Sequence, residues 1–138
     1  MKRNSQKIGK DFEKRFVKWL SNEGLWVHFI NPAPDGSQPF DVIAVKGFAD
    51  GQNIVYAFDC KTLDGKRFPL DRIEYNQELA FNLLNNHGIM NTYFAIYCNK
   101  NSSIYIIPSR LLIELKTKGA CSINLEDYEY YCIKQNFN

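Results

Sequence analysis

The stretch that decides the fold runs from Ile54 to Lys61 and reads IVYAFDCK, five apolar residues followed by Asp-Cys-Lys. Its β-branched and aromatic residues are typical of a buried strand. Because alternate residues of a strand point to the same face, Asp59 and Lys61 should emerge side by side. Another acid, Asp41, opens the preceding apolar segment. Adjacent strands can bring both acids to one end of a sheet, so the pattern predicts two carboxylates and an amine at a sheet edge.

The remaining sequence predicts helices and strands on both sides of this stretch. Hydrophobic periodicity indicates helices over residues 5–23, 71–86 and 109–118, and strands over 25–30, 40–45, 53–62, 92–98 and 103–107. Asp71 with Glu74 three residues later predicts a capping box at the start of the second helix. Residues 123–133 fit a helix or a strand equally well. The order α-β-β-β-α-β-β-α predicts an α/β (α+β) fold, with a mixed central β-sheet flanked by helices.

Length and composition limit the kind of protein this is. With 138 residues, of which 45% are hydrophobic, the chain is expected to form one packed domain over residues 1–138. No apolar run approaches the ~20 residues of a membrane span, and the polar, basic N-terminus is not a secretory signal. The four cysteines form no CxxC pair, which suits reduced thiols. A soluble, cytoplasmic protein without a membrane association is therefore expected.

Basic residues are concentrated at the N-terminus. The first eighteen residues contain seven basic side chains and two acidic ones. Such an excess attracts polyanions such as DNA, for which Lys10, Lys14 and Lys18 are the candidate contacts. A solvated helix face that keeps the protein soluble explains the same pattern equally well.

The predicted acid–acid–amine cluster has a specific chemical use. Asp41, Asp59 and the backbone carbonyl of Cys60 can hold Mg²⁺, with water completing the octahedron. Lys61 can then orient or deprotonate an attacking water, or stabilise the transition state of phosphodiester hydrolysis. Taken singly, each residue has an ordinary explanation. Asp41 fits a strand-entry residue that faces water, and Asp59 with Lys61 fits a strand-end ion pair.

Other polar residues are candidates because of their positions in the predicted elements. Glu13 flanks the apolar face of the first helix, where it either contacts metal-bound water or is an ordinary surface residue. Gln77 lies on an apolar stripe of the second helix, so its amide needs partners. It either caps a backbone carbonyl or bonds Lys61 or a substrate phosphate. Lys66 and Arg67, just beyond the Asp-Cys-Lys strand, fit phosphate contacts or a solvated turn.

These motifs together resemble the PD-(D/E)XK nucleases, which have the restriction-endonuclease-like fold. The first motif reads Pro39-Phe40-Asp41 and the second Asp59-Cys60-Lys61. Within that superfamily the chain looks most like the RecU-type Holliday junction resolvases. The shared features are FDCKT over residues 58–62, RFPL over residues 67–70, and the helix that carries Gln77. The opening GKDFE, residues 9–13, resembles the first helix of archaeal Hjc-type resolvases. The long RecU stalk is missing, since only residues 31–38 join the first two strands.

The resemblance implies a function and a set of roles. Asp41 and Asp59 would be metal ligands, Lys61 the catalytic lysine, Glu13 an accessory acid and Gln77 a supporting residue. The family implies a Mg²⁺-dependent endonuclease, with Mn²⁺ as a substitute, that cuts four-way DNA junctions as a homodimer in DNA recombination and repair. The alternatives are a nuclease or nickase of the same fold without junction specificity, an inactive DNA-binding module, and a protein unrelated to nucleic acid.

Overall fold

The computed structural model describes residues 2–133, which are built around a six-stranded sheet. A separate two-stranded ribbon and the helices pack against this sheet. The helices are α1 (Lys2–Asn22), α2 (Tyr75–Asn86) and α3 (Ser109–Thr117). The strands are β1 (Trp26–Phe29), β2 (Val42–Gly47), β3 (Asn53–Leu63), β4 (Arg67–Pro69), β5 (Asn91–Cys98), β6 (Ser103–Pro108), β7 (Ser122–Asn124) and β8 (Cys132–Ile133).

The central sheet is mixed and has the strand order β1-β2-β3-β5-β6-β8. Strands β3 and β5 are parallel, with Asp59 opposite Phe94. The chain returns between these two strands through α2, because parallel neighbours need a crossover connection. The other strand pairs of this sheet, within the described residues, are antiparallel. The predicted fold class, a mixed sheet flanked by helices, is therefore confirmed. The predicted order α-β-β-β-α-β-β-α lacks three short strands that the structure contains, β4, β7 and β8.

Helix α1 covers one face of the sheet. Its buried residues Phe12, Phe16 and Leu20 recur every four positions and form one apolar stripe. The Phe16 ring meets the edge of the Phe58 ring at 5.1 Å between centroids, and Phe12 stacks on Tyr97 at 5.2 Å. Burial of side chains this large stabilises the fold by about 1.5–3 kcal/mol each. This packing fixes the position of α1 above β3, the strand that carries Asp59, Cys60 and Lys61.

Helices α2 and α3 and the β4–β7 ribbon cover the opposite face. Their core includes Phe68, Phe81, Phe94 and Leu112, all fully buried. The edge of the Phe81 ring meets Phe94 of β5 at 5.2 Å, so α2 is anchored directly on the sheet. The result is a layered structure in which the sheet lies between α1 on one side and α2 and α3 on the other.

The start of α2 differs from the prediction of a capping box at Asp71. Residues Leu70–Arg72 form a single 3₁₀ turn, closed by the Ile73 N–H on the Leu70 carbonyl. Ile73 is then extended, with ψ at 110°, and its side chain is buried, so the chain cannot continue as a helix there. Helix α2 begins instead at Tyr75, with Glu74 as its N-cap residue.

The segment over residues 123–133, whose type the sequence left open, contains both strand and helix. Strand β7 pairs with β4, and the pairing sets Phe68 opposite Ile123. A 3₁₀ segment over Leu125–Tyr131 follows, and β8 then adds to the edge of the sheet beside β6. Across residues 2–133, no helix has the length and apolar character needed to cross a membrane.

Candidate active site

The pairing of β2 with β3 places the two acids side by side. The antiparallel register ends with Val42 opposite Phe58, so Asp41 and Asp59 are the residues that directly follow this last pair on the two chain segments. The Asp41 N–H donates to the Phe58 carbonyl at 3.1 Å, which extends the ladder by one bond. The Cys60 N–H donates to Asp41 Oδ2 at 2.7 Å. Backbone contacts thus hold the Asp41 carboxylate against β3, close enough to raise the pKa of the Asp59 carboxyl.

The lysine of the Asp-Cys-Lys motif completes the cluster. Lys61 Nζ lies 3.1 Å from Asp59 Oδ2, and the two side chains are only 11% and 2% exposed. The contact is an ion pair by distance, yet Oδ2 accepts no hydrogen bond of good geometry within the described residues. A buried carboxylate oxygen without a hydrogen bond is costly to a fold and is common at functional sites. The structure therefore brings Asp41, Asp59 and Lys61 together, as the sequence predicted.

The electrostatics of the pair disfavour its negative charge. Burial raises the pKa of the Asp59 carboxyl well above its usual range; the Lys61 ammonium opposes this shift, and the Asp41 carboxylate adds to it. Two carboxylates this close are rarely ionised at the same time, because their negative charges repel each other. The single positive charge of Lys61 therefore does not offset the combined effect of burial and of the Asp41 carboxylate on the Asp59 pKa. A divalent cation at the pair would supply the missing positive charge.

Glu13 belongs to the same acidic cluster. It follows Phe12 on α1, is half-buried, and has its pKa raised to about 7 by burial and then by the Asp41 carboxylate, against the opposing effect of Lys10. The Cys60 thiol has its pKa raised by burial and by Asp41, Asp59 and Glu13 in turn. All three acids therefore lie close to Cys60, and the helix-borne acid predicted from the sequence does reach the sheet edge.

The cluster suits a hard cation that keeps part of its water shell. The carboxylate oxygens of Asp41 and Asp59 are the ligands that Mg²⁺ prefers, and Asp59 Oδ2 has the Lys61 ammonium 3.1 Å away without a well-aligned hydrogen bond among the described residues. Among residues 2–133, no three His, Cys, Asp or Glu side chains already surround one point as ligands. A cation at the two carboxylates would therefore take its remaining ligands from backbone carbonyl groups and water. The residues thus fit Mg²⁺ by their chemistry.

Gln77 is buried but serves the helix that carries it. Its Oε1 accepts the backbone N–H of Glu74 at 3.1 Å, and the Glu74 side chain in turn accepts the Gln77 N–H. The two residues form the capping box of α2. Because Gln77 Oε1 already accepts the Glu74 N–H, any hydrogen bond to a substrate phosphate would be donated by Gln77 Nε2. A contact with Lys61 would have to involve the same end of the amide. That contact stays a prediction.

The predicted DNA-contacting residues divide into two groups. Lys10, Lys14 and Lys18 are exposed along α1. Lys66 instead forms an ion pair with Glu126, and Arg67 Nη1 donates to Ser122 Oγ at 2.8 Å. These last two residues connect the β3–β4 turn to the C-terminal part of the chain. Contacts of Lys66 and Arg67 with phosphate remain a prediction. Such contacts would compete with the bonds to Glu126 and Ser122.

Sequence reasoning missed Arg72, a cation close to the cluster. Its Nη1 donates to the Thr62 carbonyl at 2.6 Å, and its guanidinium lies 5.6 Å from the centre of the Phe68 ring. Burial lowers the Arg72 pKa, and the nearby Asp59 carboxylate opposes that shift. A single arginine three residues after Pro69 has no periodic signal. Only its folded position, beside the end of β3, makes it a candidate phosphate contact.

Comparison with known proteins supports the fold at the level of structure. No protein-family model and no curated protein sequence matches the chain. A solved structure does: that of Archaeoglobus fulgidus Hjc, a Holliday junction resolvase from an archaeal hyperthermophile. The TM-score is 0.58 at 16% sequence identity, and the match covers 87% of this chain and 89% of that one. The chain therefore has the restriction-endonuclease-like fold, shared over most of both molecules.

Proposed function

We propose that this protein is a divalent-metal-dependent DNA endonuclease that acts on branched DNA as a Holliday junction resolvase. The observation that carries the proposal is the buried Asp59 carboxyl, which forms an ion pair with Lys61 at 3.1 Å and lies close enough to Asp41 for that carboxylate to raise its pKa. Structural acid pairs gain nothing from such an arrangement, whereas a cation site needs it. The free cysteines suit a cytoplasmic enzyme.

Each residue has a role in the proposed hydrolysis of a phosphodiester. Asp41 and Asp59, with the Cys60 carbonyl, would hold the cation, and Glu13 would accept a hydrogen bond from a water molecule beside it. Mg²⁺, or Mn²⁺ in its place, supplies charge stabilisation at the phosphate and lowers the pKa of bound water. Lys61, positioned by Asp59, orients the attacking water and donates to the developing negative charge on the phosphoryl oxygens. Arg72 binds a neighbouring phosphate.

Branched DNA is the proposed substrate because of the fold and the charge of α1. The structural neighbour Hjc is a Holliday junction resolvase. Lys10, Lys14 and Lys18 are exposed on the helix that also carries Glu13, so DNA bound along this helix passes the acidic cluster. Symmetric cutting of a junction requires two sites related by a two-fold axis, which a homodimer provides.

Helix α2 offers the surface for such a homodimer. Tyr75, Leu79 and Leu83 recur every four residues and are 70%, 49% and 51% exposed. They form an apolar stripe on a helix whose single charged residue, Glu78, is paired with Lys116 at 2.7 Å. A second copy of the same stripe would meet no like charge, which suits an isologous contact between two identical helices. We propose that this stripe is the dimer interface.

A nuclease without junction specificity is the competing candidate, and the loop between β1 and β2 favours it. This loop is short and is held down by Asn76 Nδ2, which donates to the Gln38 carbonyl at 2.7 Å and to the Gly36 carbonyl at 3.3 Å. It cannot grip a junction as a long stalk would. The same acidic cluster would then cut other DNA structures or a particular sequence.

A cleavage panel distinguishes these candidates. Four-way junction, flap, nicked and linear DNA of equal length are incubated with the protein in Mg²⁺ and in EDTA. We expect cleavage only with Mg²⁺, and fastest on the four-way junction. Equal rates on all four substrates would support the nuclease without junction specificity. Binding of DNA without cleavage in Mg²⁺ or Mn²⁺ would indicate an inactive DNA-binding module.

A further inference from the structure

A cleft next to the acidic cluster has no role in the chemistry described so far. It lies between α1 and the end of β1, encloses about 570 Å³, and is lined by Lys10, Glu13, Lys14, Val17, Phe29 and Pro32. Its volume lies within the ~300–1,000 Å³ typical of small-molecule sites. Glu13 lines the cleft and also interacts electrostatically with Asp41, so the cleft opens beside the candidate metal ligands.

The lining of the cleft combines apolar side chains with charged residues of α1. Val17, Phe29 and Pro32 are the apolar lining residues, and Lys10, Lys14 and Glu13 are the charged ones. The Phe29 side chain is partly buried against the core on the α1 side of the sheet. Lys10 and Lys14 are four residues apart on α1, so their exposed ammonium groups lie on the same side of that helix. An aromatic side chain close to two ammonium groups suits a nucleotide, whose flat base can stack on the aromatic ring while its phosphate pairs with a cation.

We propose that this cleft binds a single unpaired nucleobase next to the phosphate that is cut, with the base stacked on Phe29 and its flanking phosphates on Lys10 and Lys14. The inference rests on the proposed nuclease function and adds a substrate requirement to it. Taking a base out of a duplex costs a few kcal/mol, and least where the base is already unpaired. The cleft therefore favours DNA with an unpaired nucleotide at a branch point or bulge over continuous duplex.

The test compares two DNA molecules that differ only by one base. Both are duplexes with one extra nucleotide in one strand, and in one of them that nucleotide is abasic. Binding is measured by fluorescence anisotropy in EDTA, so no cleavage is involved. Since stacking of one base on an aromatic side chain contributes ~1–3 kcal/mol, we expect the wild-type protein to bind the base-containing bulge about tenfold more tightly than the abasic one.

Variants at Phe29 locate the effect. Phe29→Leu keeps an apolar side chain in the partly buried position but removes the aromatic face, and it should reduce the difference between the two bulges to about twofold or less. Trp26→Ala is the matched control, because Trp26 lies on the same strand, is 63% exposed and does not line the cleft. It should keep the full difference.

The outcomes separate this inference from the proposed function. Equal affinity of the wild-type protein for the two bulges, in a protein that cleaves DNA with Mg²⁺, overturns the base-binding cleft and leaves the nuclease intact. A base preference that persists in Phe29→Leu also overturns the cleft. A protein that neither binds nor cleaves any DNA of the panel overturns both proposals.

Discussion

At the scale of single residues, the acid pair is the feature that structure alone does not explain. Like charges directly opposite each other on neighbouring strands destabilise a sheet. Here Asp41 and Asp59 directly follow the last pair of the β2–β3 ladder, the Asp41 carboxylate acts on Asp59, and Asp59 is almost completely buried. A stable fold would gain from an apolar residue at either position. Two acids beside Lys61 are expected if their charge is used, which is why we propose that the site binds a cation.

The roles of Asp59 and Lys61 are tested by conservative removal. We expect Asp59→Asn and Lys61→Ala each to lower the rate of Mg²⁺-dependent DNA cleavage by about 10²–10⁴-fold, the usual loss when a charged catalytic group is removed. Binding of the same DNA should change by less than about threefold, since phosphate contacts elsewhere supply most of the affinity. The control is Asp50→Asn, an exposed acid of the β2–β3 turn. Unfolding of both variants would instead mean that the pair is structural.

Glu13 gives a pH-dependent signature. Its pKa is raised to about 7 in the folded protein from an ordinary value of 4.5. The folded state therefore binds the proton more tightly, so the stability that this group contributes is present below pH 4.5 and is lost as the pH rises to 7. Glutamine does not ionise, so the Glu13→Gln variant should not lose this stability as the pH rises. Because the side chain is half-exposed, we expect the variant to gain about 1 kcal/mol relative to wild type between those pH values.

Chemical denaturation without divalent metal, at a series of pH values, measures this difference. The exposed Glu23→Gln, just beyond α1, is the matched control and should parallel wild type. A Glu13→Gln profile that also parallels wild type would mean that Glu13 is an ordinary surface acid.

The candidate acids could be found from sequence because they interrupt apolar patterns, whereas their neighbours could not. Asp41 and Asp59 each break or end a run of strand-forming residues, and the period of two in a strand put Asp59 and Lys61 on one side. Arg72 carries no such signal, because its place beside Asp59 depends on the 3₁₀ turn and on Phe68. Gln77 was correctly marked as a buried amide, but its Oε1 partner, the Glu74 N–H, required the true start of α2.

At the scale of elements, length and periodicity decide what the sequence reveals. Helix α1 and strand β3 are long and strongly patterned, and the structure shows them within a few residues of the predicted bounds. Strands β4 and β7 have three residues each, too few for a recognisable period, and they exist because they pair with each other. The start of α2 was misplaced because Asp71 and Glu74 fit a cap pattern that the buried Ile73 overrides.

Helix α1 should contribute to DNA binding through its charge. Replacing Lys10, Lys14 and Lys18 together by Ala removes three cations, so the slope of log affinity against log salt should become shallower by about 2–3. Affinity should fall similarly for junction and linear DNA, since phosphate contacts carry no sequence information. Lys100→Ala, in the exposed β5–β6 turn, is the control. An unchanged slope in the triple variant would show that these lysines serve solubility alone.

Helix α2 should carry the dimer contact. Leu79→Lys combined with Leu83→Lys places four like charges in the proposed isologous interface of two copies, so we expect a monomer at concentrations where wild type is a dimer. Analytical ultracentrifugation measures the masses. Phe48→Lys, at a position of similar exposure in the β2–β3 turn, should leave the dimer intact. A double variant that stays dimeric would place the interface elsewhere.

At the scale of the whole molecule, the two faces of the sheet have different tasks. Helix α1 brings Glu13 and the exposed lysines to the edge where β2 and β3 present Asp41, Asp59 and Lys61. Helix α2, on the opposite face, holds the sheet in place and leaves its apolar stripe outside. The overlap with Hjc extends over 87% of this chain at 16% identity, so the layered frame persists while most side chains differ. Two chains can share the same arrangement of helices and strands although most of their side chains differ, because the pattern and total volume of the buried apolar residues define a fold more than any single contact does.

Metal-linked stability tests the central assignment most directly. Thermal unfolding of the wild-type protein and of Asp59→Asn is followed while Mg²⁺ or Mn²⁺ is raised at constant ionic strength. A ligand at 100 times its Kd stabilises a folded protein by about 2.7 kcal/mol, so we predict a rise of several degrees in the Tm of the wild-type protein. The Tm of Asp59→Asn should stay constant over the same titration. Equal shifts in both proteins, or a flat response in wild type, would contradict a cation held between Asp41 and Asp59.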